Sequence, residues 1–451
     1  MTRLPASVAV EGAGGEAYQS QSALVSLMTA RSGISPLLMM SNRSIAFPRA
    51  VQTRGRVEQS LSSVSVFSIR FAQLERFSLG FRFIHTADWQ LGKPFGQFPP
   101  DLAGELKAAR RDVVQTIAAT AEKLGIGDVI VAGDVWDSPL PARNTVVQPL
   151  EIMGRARSIR WWLMPGNHDP HQPGGLWTRI AKIAPPNVTL LLQPTSVEMR
   201  DGVVLLPAPW KSKAPGEDLS EWMDQAETSA GSIRIGLAHG GVKSFEADAI
   251  PLDEKRATKA RLDYLGLGDW HGTLQVDERT WYSGTPEPDR FVNNDRGQIL
   301  EVKVDGPGRI PEVIPHRTAK FEWLVVDAEV NAPSDFAELE KKILGERSGT
   351  EVLAQLTLSG RLSLSERQML DEHISAIASR LQYLDVRDTA LQTMATPDDL
   401  DALGQGGSIR HAAENLKTAA ESASAEAERE DALRALSLLF TYAGTATGDR
   451  P

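Results

Sequence analysis

Five short polar motifs, each placed where an apolar run ends, constrain this chain more than any other feature. They are His85-Thr-Ala-Asp88-Trp-Gln90-Leu-Gly92, Gly133-Asp134-Val-Trp-Asp137, Gly166-Asn167-His168-Asp169, Leu237-Ala-His239-Gly240 and Gly268-Asp269-Trp-His271. In an open α/β sheet, ligands bind outside the carboxyl ends of the strands. The sequence therefore predicts that these five distant segments converge on one rim of a sheet and form a single polar site.

The segments around the first two motifs predict a strand-helix-strand unit. Phe81–Ala87 and Asp128–Ala132 are short buried apolar runs, and the apolar spacing between them indicates a helix over Asp101–Leu124. We expect Asp101 to cap this helix and Gly125 to end it. Two strands joined by a helix are parallel as a rule, so the sequence indicates a layered α/β domain over residues 81–318.

Three further segments flank this domain. Residues 1–80 contain no Lys and no Asp and keep no helix or strand period, so we expect a disordered extension or mis-assigned upstream sequence there. Residues 319–392 alternate strand and helix signals, with Ser365 and Gln368 as a predicted capping box. Residues 393–451 are Ala- and Glu-rich and predict a helical tail, although the residues from Gly444 onward are not expected to be helical.

Composition limits the chemistry. The chain has no cysteine, so a metal must be held by oxygen and nitrogen ligands, and a reducing cytoplasm fits this usage. No apolar stretch is long enough to predict a membrane span. The net charge of -10 argues against indiscriminate coating of nucleic acid, but it leaves a nuclease possible because a metal and a local basic patch can meet the phosphate.

The set of motifs resembles the calcineurin-like metallophosphoesterases, and among them the SbcD-type DNA repair exonucleases. The family pattern is D-x-H, G-D-x-x-D, G-N-H-[DE], a lone His and G-H-x-H, and this chain has Gln90 and Asp269 where the family usually has His. The stretch Trp281-Tyr-Ser-Gly-Thr-Pro-Glu287 is similar to the Y-x-G-[ST]-P segment of the SbcD-type enzymes. The resemblance implies a metallophosphoesterase β-sandwich flanked by helices, a small α/β capping domain at residues 319–392 and the helical tail.

The same resemblance implies a two-metal site. The ligands of one ion would be Asp88, Gln90, Asp134 and His271, and those of the other would be Asp134, Asn167, His239 and Asp269, with Asp134 shared by both. Two divalent ions can clamp a phosphate and activate water. His168 would be the general acid that protonates the leaving oxygen, and Asp137 would orient a ligand or His168.

The two altered positions favour a particular class of metal. Gln90 and Asp269 replace imidazole with oxygen donors, which suit Mn²⁺ or Mg²⁺ better than Zn²⁺. We therefore expect a remodelled site that works with Mn²⁺.

Three functions are compatible with these observations. The first is a metal-dependent DNA exonuclease, with endonuclease action near ends or hairpins. The second is a small-molecule phosphodiesterase or phosphatase of the same fold, and the third is a non-catalytic scaffold subunit with a vestigial site. Basic residues at 255–261, together with Lys211 and Lys213, could contact DNA or could be a solvated face.

The resemblance also implies a partner. SbcD-type nucleases work with an SMC-like ATPase, whose coiled coil is held by the nuclease's C-terminal helices, and a homodimer is compatible with the sequence. The apolar residues Leu433, Leu436, Leu439 and Phe440 lie at helical spacing in the tail. They predict either a surface for that ATPase or a strip that folds back on its own domain.

Overall fold

The computed structural model describes residues 80–212, 216–242, 252–292, 296–345, 347, 349–403 and 407–448. The expectations for residues 1–79 and for Lys213 lie outside these residues. The strands are β1 (Phe81–Thr86), β2 (Asp128–Val131), β3 (Arg160–Leu163), β4 (Val188–Leu190), β5 (Val197–Arg200), β6 (Val203–Pro207), β7 (Ile233–His239), β8 (Tyr264–Gly268), β9 (Leu274–Gln275), β10 (Thr280–Tyr282), β11 (Gln298–Val304), β12 (Glu312–Arg317), β13 (Glu322–Val330), β14 (Val352–Ser363) and β15 (Tyr383–Met394).

The helices are α1 (Pro100–Leu124), α2 (Arg143–Arg155), α3 (Leu176–Ile180), α4 (Arg256–Lys259), α5 (Phe336–Ile343), α6 (Leu364–Ala378), α7 (Pro397–Ala402), α8 (Ser408–Ser422) and α9 (Glu426–Gly448). The sequence does not predict the helix α2. Gly125 ends α1 in the left-handed conformation, as expected, but Asp101 lies inside the helix and Pro99 occupies the cap position.

Two six-stranded sheets form the first domain. One has the order β12-β11-β1-β2-β3-β4, and the other has the order β5-β6-β7-β8-β10-β9. The strands β1 to β4 are parallel to one another, as are β6, β7, β8 and β10, so their carboxyl ends share a rim in each sheet. Antiparallel strands close the edges next to β1, β6 and β10.

Alternating side chains of the strands supply separate core layers. In β1, Phe81 and Phe83 pack between the two sheets, whereas Ile84 packs on the opposite face with the apolar side of α1 and α2. A third layer covers the outer face of the second sheet around Met223 and Leu265. The predicted α/β sandwich with flanking helices is therefore confirmed.

A smaller α/β unit follows. Its three strands are parallel in the order β13-β14-β15, and α5 and α6 cover one face of that sheet. Phe98 of the first domain packs edge-to-face on Trp323 and Tyr383, with ring centroids 5.5 and 5.2 Å apart. The helix α6 does begin with a capping box, but its residues are Ser363 and Glu366, two positions before the predicted pair.

The helical tail packs against its own chain. Leu436 and Phe440 of α9 are buried with Leu364 and Leu400, and Leu439 contacts the same cluster. This is the fold-back arrangement, so these side chains do not form a free partner surface. The last helix also continues to Gly448, which corrects the expectation of a non-helical end. None of the helices in the described ranges has the length and apolar character that a membrane crossing requires.

Asp399 joins the helical tail to the smaller α/β unit. Its buried carboxylate accepts hydrogen bonds from the backbone N–H groups of Leu364, Ser365 and Thr396, at 3.2, 3.0 and 2.8 Å. These contacts hold the pKa of Asp399 below its usual value, although burial acts in the opposite direction. The Asp399 carboxylate therefore accepts hydrogen bonds from the otherwise unpaired N–H groups at the starts of both α6 and α7.

We predict that Asp399→Ala lowers the free energy of unfolding by about 1–3 kcal/mol, because buried N–H donors lose their acceptor. Urea titration followed by circular dichroism measures this change. The matched control is Asp398→Ala, which removes an exposed acid from the same helical turn. Equal losses in the two variants would show that only the charge near the helix start matters.

Candidate metal centre

The loops after β1 and β2 run side by side and form the floor of the site. Asp88 N–H donates to the carbonyl of Gly133 at 3.2 Å, and Gln90 N–H donates to the carbonyl of Asp134 at 2.8 Å. Leu91 continues the pairing with Val135 at 3.0 Å. Backbone hydrogen bonds therefore hold the first two motifs in register with each other.

Four of the predicted ligands have a left-handed backbone. The φ angles of Asp88, Gln90, Asp134 and Asp269 are 54°, 40°, 53° and 97°. An extended chain at Asp88 and Gln90, which would point both side chains the same way two positions apart, is therefore not what the structure has. The chain instead turns sharply at the strand ends and directs each side chain toward the rim.

Gly133 and Gly166 must be glycine because ligand side chains lie very close to their backbone. A Cβ atom at Gly133 would lie 2.3 Å from Nδ1 of His239, and one at Gly166 would lie 2.1 Å from Oδ1 of Asp134. Both distances are far below a van der Waals contact. Glycine at these positions lets the ligand side chains occupy the space next to the backbone.

His239 lies at the centre of a cluster of donor atoms. Its Nδ1–H donates to the carbonyl of Ala132 at 2.8 Å, which directs Nε2 into the site. This Nε2 is 3.4 Å from Oδ1 of Asp134, 3.4 Å from Oδ1 of Asn167 and 3.7 Å from Oδ1 of Asp269. Ligand atoms of Asp88, Asp134 and His239 all lie within 4.8 Å of one another.

The electrostatics of this cluster show an excess of negative charge. Burial raises the pKa of Asp88 well above its usual value, and the neighbouring Asp134 and Asp269 add to the rise. Burial would lower the pKa of His239, but Asp134, Asp88 and Asp269 together raise it well above its usual value. Burial also raises the pKa of Asp134, yet His239 more than offsets it, so that pKa is lowered. A cation at this point would relieve the repulsion.

The residues present fit a divalent cation at this position. Asp134 and Asp269 offer carboxylate oxygens, Asn167 an amide oxygen and His239 an imidazole nitrogen, which is a donor set that Mn²⁺ accepts. Asn167 is oriented by its Nδ2–H, which donates to Asp269 at 3.2 Å. Asp88 lies beside the set, and both of its oxygens accept the backbone N–H of Asp269 at 3.1 and 3.0 Å.

His168 lies at the open side of the cluster. Its backbone N–H donates to Oδ1 of Asp134 at 2.9 Å, and its Nε2 is 3.9 Å from Oδ2 of the same carboxylate. Nδ1–H donates to the backbone carbonyl of Asp137 at 3.1 Å, whereas the Asp137 carboxylate is 3.9 Å away. The side chain is 45% exposed, so Nε2 is accessible to a bound molecule.

Gln90 and His271 form a separate group next to this cluster. The amide Nε2 of Gln90 is 3.2 Å from Nε2 of His271, and its Oε1 accepts a hydrogen bond from Lys93 Nζ at 3.1 Å. Nδ1 of His271 is 2.9 Å from Oδ1 of Asp289. The atoms that a metal would need on these two residues therefore already contact protein groups.

Several residues that shape the site were not singled out from the sequence. Asp169 is fully buried and accepts the N–H groups of Gly166 and Trp136 at 2.7 and 3.0 Å. Arg110 of α1 donates to the carbonyls of Asp88 and Glu287 at 3.3 and 2.8 Å. Asp169 is part of one of the five motifs, so the sequence carried a signal for it. Arg110 carried none, because it looks like any polar residue in an amphipathic helix.

The segment that resembles the Y-x-G-[ST]-P stretch supports the rim. The Tyr282 hydroxyl donates to the carbonyl of Gly240 at 2.8 Å, and the Thr285 hydroxyl donates to the carbonyl of Asp88 at 2.9 Å. Both contacts fix loops that carry predicted ligands. Of the basic residues at 255–261, Arg256 is buried and paired with Asp218, so it is a structural residue.

Among curated proteins, this chain is similar to the DNA double-strand break repair protein Mre11 of Methanosarcina acetivorans. It is 24% identical over 270 residues, which cover 55% of this chain and 41% of the relative. The chain thus spans less than half the length of that protein.

Solved structures to which parts of this chain are similar include TT1561 of Thermus thermophilus, with 12% identity, a TM-score of 0.33, and coverage of 52% of this chain and 99% of that one. A dimetal phosphatase from Danio rerio has 11% identity, a TM-score of 0.32, and coverage of 52% and 98%.

The sequence profile of the calcineurin-like phosphoesterases matches residues 81–300. These residues hold both six-stranded sheets except β12 and the last four residues of β11, together with every motif of the site. Members of this family are metal-dependent phosphoesterases, and the cluster at Asp88, Asp134 and His239 is a candidate metal site. Over residues 81–300, slightly less than half of its length, this chain is therefore similar to the calcineurin-like phosphoesterase superfamily.

Proposed function

We propose that this chain is a metal-dependent phosphodiesterase that hydrolyses DNA during repair, as an exonuclease with endonuclease action near ends or hairpins. The observation that carries the proposal is an exposed imidazole, His168, next to a buried cluster of metal-binding groups. The choice of DNA is supported by the motif resemblance and by the repair protein Mre11 among its relatives.

Each residue would act from the position that the structure gives it. Asp134, Asn167, His239 and Asp269 would hold a divalent cation, which would supply positive charge to polarise the phosphate. Asp134 fixes the His168 backbone, and the Asp137 carbonyl accepts its Nδ1–H. These two contacts leave Nε2 to donate a proton to the leaving oxygen of the substrate.

His168→Ala is expected to lower the rate of DNA cleavage by about 10²- to 10⁴-fold while metal content stays unchanged, because only the proton donor is removed. Single-turnover cleavage of a labelled duplex measures the rate, and mass spectrometry of the metal measures the content. His411→Ala, which removes an exposed imidazole from α8, is the matched control. Cleavage by His168→Ala at the wild-type rate would contradict the assigned role.

The oxygen-rich donor set predicts a metal preference. We expect activity with Mn²⁺, little activity with Zn²⁺ and none after treatment with a chelator, because Asp269 supplies oxygen where the family usually has imidazole. The assay compares linear duplex DNA with a small chromogenic phosphodiester. Cleavage of the small ester alone would move the function to small phosphodiesters, and cleavage of neither would favour a scaffold subunit.

An SMC-like ATPase partner and a homodimer remain proposals, as does a cytoplasmic location, which rests on the cysteine-free composition. Since Leu436 and Phe440 are buried in their own chain, a partner would have to contact other positions of the tail. Leu438 of α9 is 51% exposed and is such a position.

Leu438→Asp is expected to reduce co-purification with the ATPase at least tenfold without changing the nuclease rate, because it alters the surface of α9 and leaves its packed side intact. Quantitative pull-down measures this. Asn415→Asp, at an exposed position of the neighbouring helix α8, adds the same single negative charge and is the control. Equal recovery of the ATPase by wild type and Leu438→Asp would exclude this face of α9.

A further inference from the structure

We infer that this site binds one divalent cation, held by Asp134, Asn167, His239 and Asp269, and that the ammonium group of Lys93 takes the place of a second one. The two-metal expectation assigned the other ion to Asp88, Gln90, Asp134 and His271. The inference rests on the phosphoesterase family, but it does not depend on DNA being the substrate.

Lys93 is held beside the position assigned to the other ion. Its Nζ donates to Oε1 of Gln90 at 3.1 Å and forms an ion pair with Oδ2 of Asp289. Asp289 is fully buried and the Lys93 side chain is only 23% exposed, so this pair is shielded from water. An ion pair with little exposure is screened by salt much less than one on the surface.

The ammonium group fixes the orientation of the Gln90 amide. A lysine offers three donors and no acceptor, so it must face the amide oxygen. The amide NH₂ group then points at Nε2 of His271, 3.2 Å away. Gln90 therefore presents donors, and not a lone pair, on the side where a metal ligand is needed.

His271 is fixed from its other side. Nδ1 of His271 lies 2.9 Å from Oδ1 of Asp289 and 2.9 Å from Nη2 of Arg290. Because a carboxylate can only accept, and Arg290 has the same carboxylate as its acceptor at 3.3 Å, we assign the ring proton to Nδ1 and the lone pair to Nε2. That lone pair accepts the hydrogen bond from Gln90. Turning the amide over would place its NH₂ group against the Lys93 ammonium and its oxygen against the His271 lone pair, so both contacts would become repulsive.

Positive charge already surrounds this group. The Arg110 guanidinium is 3.6 Å from Asp289, and that of Arg290 is 3.3 Å from the same carboxylate. A dication between Gln90 and His271 would meet these groups and Lys93 at short range. Around Nε2 of His239, by contrast, the contacts among the described residues are carboxylate and amide oxygens, which attract a cation.

The experiment counts the metal bound to the full-length protein. The protein is stripped with a chelator, dialysed against Mn²⁺ and analysed by metal mass spectrometry and electron paramagnetic resonance. We expect one Mn²⁺ per chain and the spectrum of an isolated ion. Two ions per chain with an exchange-coupled spectrum, or no bound ion, would overturn the inference.

Variants test whether Lys93 is the reason that a second ion does not bind. Lys93→Met with Gln90→His removes the ammonium and offers a free imidazole, so the count should rise from one to two and the coupled spectrum should appear. Lys107→Met, an exposed lysine of α1, should stay at one. Asp134→Asn should weaken binding of the single ion by more than the roughly 10- to 100-fold cost of losing an outer contact.

A double variant that folds, as judged by circular dichroism, and still binds one ion would refute the role of Lys93. If it does not fold, the count on the wild-type protein decides the inference. All these measurements are made without substrate, so a failure to cleave DNA would overturn the proposed function and leave the count of ions untouched.

Discussion

The accumulation of negative charge at one rim of the sandwich is the constraint on which the rest of this structure depends. Asp88 and Asp134 are almost completely buried, and Asp269 lies beside them. Carboxylates in such a place stabilise a fold only when protons, hydrogen-bond donors or cations compensate them. The backbone N–H groups of His168 and Asp269 and the imidazole of His239 are compensating groups that this chain offers, and a divalent cation would add to them.

The fold and the convergence of the motifs followed from the sequence because they depend on short-range patterns. Apolar runs such as Asp128–Ala132 end at polar residues, and parallel strands bring those ends together whatever the loops do in detail. The ligand positions proposed by resemblance lie on the same rim, but their coordination is still a prediction. The left-handed backbone at Asp88 and Gln90 could not be predicted from the sequence, since such a turn leaves no periodic signal.

Other features could not be read from the sequence because they depend on contacts between distant segments. Lys93 and Asp289 are 196 positions apart, yet their ion pair sets the orientation of Gln90. Leu436 and Phe440 have the same spacing whether a partner or their own chain covers them, and only packing on Leu364 and Leu400 distinguishes the two cases. The capping box at Ser363 was misplaced by two residues because Ser365 and Gln368 offered the same chemistry.

The left-handed residues at the rim fix the backbone of the site before an ion would bind. Each non-glycine residue in this conformation costs roughly 1–2 kcal/mol, and folding of the two sheets supplies that energy before any ion binds. The conformational entropy of Asp88, Asp134 and Asp269 has then already been lost when the ion arrives. Ion capture should thus proceed without a rearrangement of the chain, at a rate set by dehydration of the ion. The folded backbone, and not the metal, would therefore set the positions of the ligand residues.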